Sequence, residues 1–158
     1  MTMKLLLRPL LVCLFVVLLR SGFAQTPSNP AEDYSGMYSF VREGEFVQIT
    51  VEDNGLVSGF ISRFGDSQSD KGAFLDQFFK SGKIEGNKVS FTTESIHGVW
   101  YKFDGVFDRG PGKKPEDEGY YVVRGTLTLY REAADHKTTS EDRKVEFTSF
   151  PRDTSPAQ

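Results

Sequence analysis

The chain has 158 residues, of which 19 are basic and 22 acidic, giving a formal net charge of −3, and it contains one cysteine and one tryptophan. A single cysteine excludes an intrachain disulfide framework and any cysteine-rich metal cluster. Net negative charge makes the chain a poor counterion for nucleic acid or an anionic bilayer, so neither is expected as a main partner.

Residues 1–24 read as a cleaved signal peptide. Lys4 and Arg8 form a basic start, "LLVCLFVVLL" is an unbroken apolar run, and Gly22 and Ala24 supply the small residues of a cleavage site. The run falls short of the roughly 20 apolar residues that a membrane-spanning helix needs. Cleavage after Ala24 leaves 158 − 24 = 134 residues with no cysteine, enough to bury one core without disulfides. Lys4, Arg8 and Arg20 leave with the leader, so the expected net charge becomes 16 − 22 = −6. A secreted or periplasmic protein without membrane insertion is expected.

Residues 25–33, "QTPSNPAED", read as a flexible lead-in, 34–150 as a single domain and 151–158 as a flexible tail. From Tyr34 onward apolar and polar residues alternate in short runs, with no 3.6-residue stripe. Eight strands follow from this alternation: 36–41, 45–52, 56–64, 76–84, 88–95, 98–108, 119–131 and 143–150. Tight turns such as "DNG" and "EGN" supply the positive φ that short hairpins need, and short hairpins make sequence neighbours antiparallel neighbours in space. The longer connectors are 65–75, 109–118 and 132–142; the second, rich in Gly, Pro and opposed charges, reads as a flexible flap. The expected fold class is all-β: an eight-stranded antiparallel meander closed into a small up-and-down barrel, with a two-sheet sandwich as the alternative.

Several segments carry a resemblance. "DNGLVSGFIS", "FFKSGKIEG", "WYKFDGVF", "VRGTLTLY" and "SGMYSF" resemble, in order along most of 35–131, strand segments of the avidin/streptavidin family. The resemblance implies that family's barrel, and it implies that Val57, Gly59, Ile61 and Arg63 point inward. It does not carry the family's ligand. Where biotin binders place Tyr and Ser on the third strand this chain has Ile61 and Arg63. Val99 and Tyr101 stand for a Ser and a Thr, Phe40 for an Asn, and Trp100 is out of phase with an inward cage. Without those groups the hydrogen bonds to biotin lose their partners.

Parity supports odd-numbered inner faces independently: Val47, Ile49 and Val51; Val89, Phe91 and Thr93; Tyr101, Phe103 and Phe107; Val123, Leu127 and Leu129. Arg63, His97, Tyr101 and Tyr121 then suggest a barrel mouth suited to a small anionic or aromatic ligand. The competing reading pairs Arg63 with Asp66 or Asp70 as a structural salt bridge and leaves His97 a solvated turn residue. Phe60, Phe64 and Trp100 fall on the outer face and suggest a protein partner or a homo-oligomer.

No cofactor or metal site is expected. His97 and His136 are 39 positions apart with no zinc-like spacing, and "DSQSDKG" lacks the Gly and the terminal Glu of a calcium loop. No nucleophile elbow or phosphate loop occurs. The expected function is a non-catalytic binding or interaction module, with a protein-binding or inhibitor barrel, or a small barrel hydrolase or isomerase, as alternatives.

Overall fold

The computed structural model describes residues 33–66 and 70–152. The expected leader 1–24, the lead-in up to residue 32 and the tail from 153 onward lie outside the described residues, as does the unit Met1–Ala31; the barrel belongs to the unit Glu32–Gln158.

Eight strands form one antiparallel meander: β1 (Gly36–Ser39), β2 (Phe46–Val51), β3 (Val57–Phe64), β4 (Phe74–Glu85), β5 (Lys88–Thr93), β6 (Val99–Arg109), β7 (Tyr121–Glu132) and β8 (Thr138–Thr148). Each pairs only with its sequence neighbours in the order β1 to β8, so the sandwich alternative is excluded. The sheet curls until its ends meet. Tyr38 bridges Ser149, and the Phe150 amide donates to the Met37 carbonyl at 2.9 Å. Closure is confined to that end. β1 is four residues long and β8 eleven, so the first half of β8 runs past β1 and opens a gap in the wall.

The odd-numbered faces are the inner ones on most strands. Val47, Ile49, Ile61, Phe91, Phe103, Phe107, Val123 and Phe147 are buried together with Tyr38 and Phe40. Burying an aliphatic or phenylalanine side chain contributes about 1.5–3 kcal/mol, and ring contacts add to this, stacked along Phe79–Phe91–Phe103 and tilted between Phe103 and Phe147. β4 departs from simple parity. A bulge between Phe79 and Ser81 moves the inward set from Gln77 and Phe79 to Gly82 and Ile84.

Two connectors differ from expectation. The loop 132–142 shrinks to Ala133–Lys137, because Thr138 and Thr139 pair with Glu132 and Arg131 and start β8 early. Alternation could not show this, since both faces of 138–144 are exposed and polar. The flap 109–118 is a hydrogen-bonded ribbon: Gly110 donates to Tyr120, Gly112 to Gly119, and the Asp117 carboxylate accepts from the Lys113 amide at 2.9 Å.

Candidate functional site

The barrel has two ends with different chemistry. At the end where β1 starts and β8 finishes, Tyr34 stacks on Phe107 with ring centres 4.3 Å apart and meets Tyr121 edge-on at 4.9 Å. Arg109 lies over the Tyr120 and Tyr121 rings. The Tyr38 hydroxyl donates to the Tyr34 carbonyl at 2.6 Å. Burial raises the Tyr38 phenol above its ordinary range, opposed in part by Arg152. These rings plug that end.

Arg63, Tyr101 and His97 are at the opposite end, so the four expected ligand residues do not form one group: Tyr121 stands apart in the plug. Arg63 points inward, only 3 % exposed, but it faces the protein rather than a ligand. Its Nε donates to Gln77 Oε1 at 2.7 Å, and its Nη1 donates to the Phe64 carbonyl at 3.1 Å and to Asp66 Oδ2 at 3.3 Å. Its guanidinium carbon is 5.5 Å from the centre of the Tyr101 ring. Gln77 is fully buried and spends its amide on the carbonyls of Glu94 and Val99, at 3.0 and 2.8 Å. The salt bridge with Asp66 raised as the competing reading is thus present, and Arg63 lies beneath the mouth rather than in it.

A buried acid anchors the same end. Glu45 accepts from the Arg42 amide, from Arg42 Nε at 2.8 Å and from the Phe64 amide at 3.0 Å, tying the β1–β2 turn to β3. The hydrogen bond to Glu45 raises the Arg42 pKa. Neither Glu45 nor Gln77 stood out in the sequence. Glu45 sits in an ordinary-looking polar turn, and Gln77 gains its meaning only from the register that sets it opposite Ile61.

Above this layer, where the wall is open, lies a cleft of about 380 Å³. Phe40, Tyr101, Leu127 and Leu129 give it apolar sides, and Arg42, Arg131, Arg143, Glu45, Asp66 and Glu141 give it charge. Desolvation raises the Tyr101 phenol, so it stays a neutral donor. Arg42 is held by Glu45 and Asp66, and Arg131 approaches Glu141 only at 4.0 Å. Arg143 stands opposite Leu127 with no carboxylate within ion-pair distance among the described residues. Counting Arg63 beneath, four guanidiniums face three carboxylates, a local excess of one positive charge.

His97 caps the β5–β6 turn with φ 51°, its Nδ1 2.7 Å from Asp70 Oδ2. It has a partner, which spacing along the chain could not place. On the outer wall, Phe60 packs between Phe46 and Phe78, and Phe64 on Phe74. Trp100 lies elsewhere, stacked on Tyr130 with ring centres 5.1 Å apart.

No protein-family model matches this chain, and no curated protein matches it. Solved structures do. The crystal structure of rhizavidin matches with TM-score 0.58 at 13 % identity, over 78 % of this chain and 87 % of that one. The rhizavidin–biotin complex matches with TM-score 0.55 at 13 %, over 73 % and 98 %. Intact afifavidin in its apo form gives 0.54 at 14 %, over 78 % and 88 %. The fold is avidin-like. At these identities the likeness extends to the fold alone. The avidin-like interior differs here in its contents: the positions aligned by resemblance to biotin contacts are occupied by Ile61, Arg63 and Phe40, all buried in the core or its polar lid.

Proposed function

We propose that the chain is an exported, non-catalytic binding protein that takes a small ligand with an anionic group on an apolar body in the rim cleft. The observation that carries this reading is the cleft itself: Phe40, Tyr101 and Leu129 give it apolar walls and Arg143 lines it with no carboxylate in ion-pair distance among the described residues. Concave apolar sites with a few convergent polar groups are the usual form of small-ligand sites, and Arg presents a planar fork suited to carboxylate or phosphate. The biotin complex of the structural neighbour rhizavidin supports small-ligand binding as a use of this barrel. The ligand of that complex is not proposed here, since Ile61, Arg63 and Phe40 fill the corresponding interior. The test is calorimetry with a panel of aryl and alkyl carboxylates and phosphates. Saturable binding is expected, weakened about tenfold by Arg143→Gln, the scale of one lost charge-assisted hydrogen bond. Equal affinity in that variant would refute the site. Export predicts a secreted form beginning at Gln25, read by intact mass.

A second reading rests on the outer wall. Phe74 and Phe78 are 48 % and 58 % exposed and belong to a strip of two ring clusters, Phe46–Phe60–Phe78 and Phe64–Phe74, separated by the Ser62–Asp76 hydrogen bond. Such a strip suits a protein partner or a second copy.

A further inference from the structure

β8 has a backbone edge that no strand covers. The Ser149 amide donates to the Tyr121 carbonyl, on the β7 side. The Thr148 and Phe150 amides donate to Ser39 Oγ and to the Met37 carbonyl, on the β1 side. The β7–β8 register runs from Val122↔Thr148 to Glu132↔Thr138 without a shift. Backbone groups alternate sides along a strand, so the amides and carbonyls of Thr138, Ser140, Asp142 and Lys144 face away from β7, as those of Thr148 do. β1 ends at Ser39, and among the described residues no strand lies against that stretch. We propose that an extended segment of a partner protein docks antiparallel on this edge as an added strand, its alternate side chains turned into the rim cleft, an acidic one against Arg143 and aromatic or aliphatic ones on either side of it.

The edge and the cleft are one place. Glu141 and Arg143 alternate with the edge residues and line the cleft, and Phe40 and Val41 line it from where β1 stops. Directly opposed side chains on neighbouring strands lie about 5 Å apart. An acid opposite Arg143 therefore meets a guanidinium that has no carboxylate in ion-pair distance among the described residues. Its neighbours two places away share its face and turn toward the apolar walls.

The charged side chains of the edge residues do not cover its backbone. Asp142 accepts from Thr128 Oγ1 at 2.7 Å and Lys144 donates to Thr126 Oγ1 at 2.7 Å, both on the outer wall. Charge on an edge strand guards against indiscriminate pairing, and here it restricts the edge to a strand of matching charge. In such strand addition the main-chain hydrogen bonds supply affinity and the alternate side chains supply specificity. The proposal rests on the cleft reading above and extends its ligand from a free acid to an acid carried on a strand.

Calorimetry with acetyl-Thr-Phe-Thr-Glu-Thr-Phe-Thr-amide, beside 3-phenylpropionate as the small acid, tests it. The peptide is expected to bind at least about tenfold tighter than the small acid, the scale of one or two net hydrogen bonds. Methylating the amide nitrogens of the two threonines beside the glutamate should weaken it about tenfold, because in antiparallel pairing those amides face β8. Ser140→Pro removes one edge amide and keeps the β7 ladder, since proline is tolerated on an edge whose N–H faces solvent, and should weaken the peptide about fivefold. A peptide no tighter than 3-phenylpropionate, or a methylated peptide that binds like its parent, would overturn the added strand and leave the cleft reading standing. Silence of both ligands would overturn both. Self-association of the wild type that Ser140→Pro abolishes would give the edge to a second copy and overturn the peptide.

Discussion

Arg63 shows how much of a residue's fate lies in its neighbours. The family resemblance turned it inward, with parity on other strands in support, and burial follows from that. What it touches depends on the β3–β4 register, which places Gln77 beside it. A buried charge is tolerated only when paired and hydrogen-bonded, so the two ends of this contact are unequal. Gln77→Leu strands the buried Arg63 Nε–H and the Glu94 carbonyl, and should lower unfolding free energy by about 3 kcal/mol. Arg63→Met strands one neutral amide oxygen and should cost about 1 kcal/mol. Urea denaturation of both variants checks the order; a larger loss for Arg63→Met would contradict the network. The phenols give a second residue-scale expectation. Tyr38 and Tyr101 are buried and their folded pKa values are raised. Above about pH 10 the unfolded chain loses protons that the folded chain keeps. Their contribution is therefore complete below the unfolded value and declines as pH rises toward the folded one. The expected slope is about 1.4 kcal/mol per pH unit for each phenol. Ultraviolet titration should show at least two of the six tyrosines ionising only with unfolding.

The elements were the most legible level. All eight strands fall where alternation placed them, because a half-buried barrel wall imposes a period of two. One kind of miss arises where both faces of a segment meet water and no alternation exists to be read. The start of β8 at Thr138 is such a place. The β4 bulge is another kind of miss, since an extra residue shows only in pairing. Close approach between strands also leaves little trace in the sequence beyond a glycine. Gly59 has φ 149°, and a Cβ there would collide with the Gln48 carbonyl and press on Phe79. Gly59→Ala should cost about 3 kcal/mol through that collision, measured by thermal and chemical unfolding; a loss under about 0.5 kcal/mol would show that β2 can yield. The phenylalanine strip on β2–β4 makes a separate expectation. In sedimentation at micromolar concentration the wild type should associate, and Phe78→Glu should shift it to monomer. A wild-type monomer would leave that wall without a second copy.

For the molecule as a whole, one physical fact divides fold from function. The avidin-like wall is present, and its interior is packed with Phe40, Ile61, Phe91, Phe103 and Phe147, roofed by the Arg63–Gln77 pair. Inward-facing residues were readable from parity. The cleft was not, because it arises from a mismatch in length between β1 and β8 that brings Phe40 and Arg143 together from 103 positions apart. The ligand site proposed above therefore lies in the gap in the wall and not on the barrel axis. Titration with biotin, followed by calorimetry, tests this most directly. A filled interior predicts no saturable heat up to millimolar biotin and no change in melting temperature, while stoichiometric binding with a sub-micromolar Kd would contradict it.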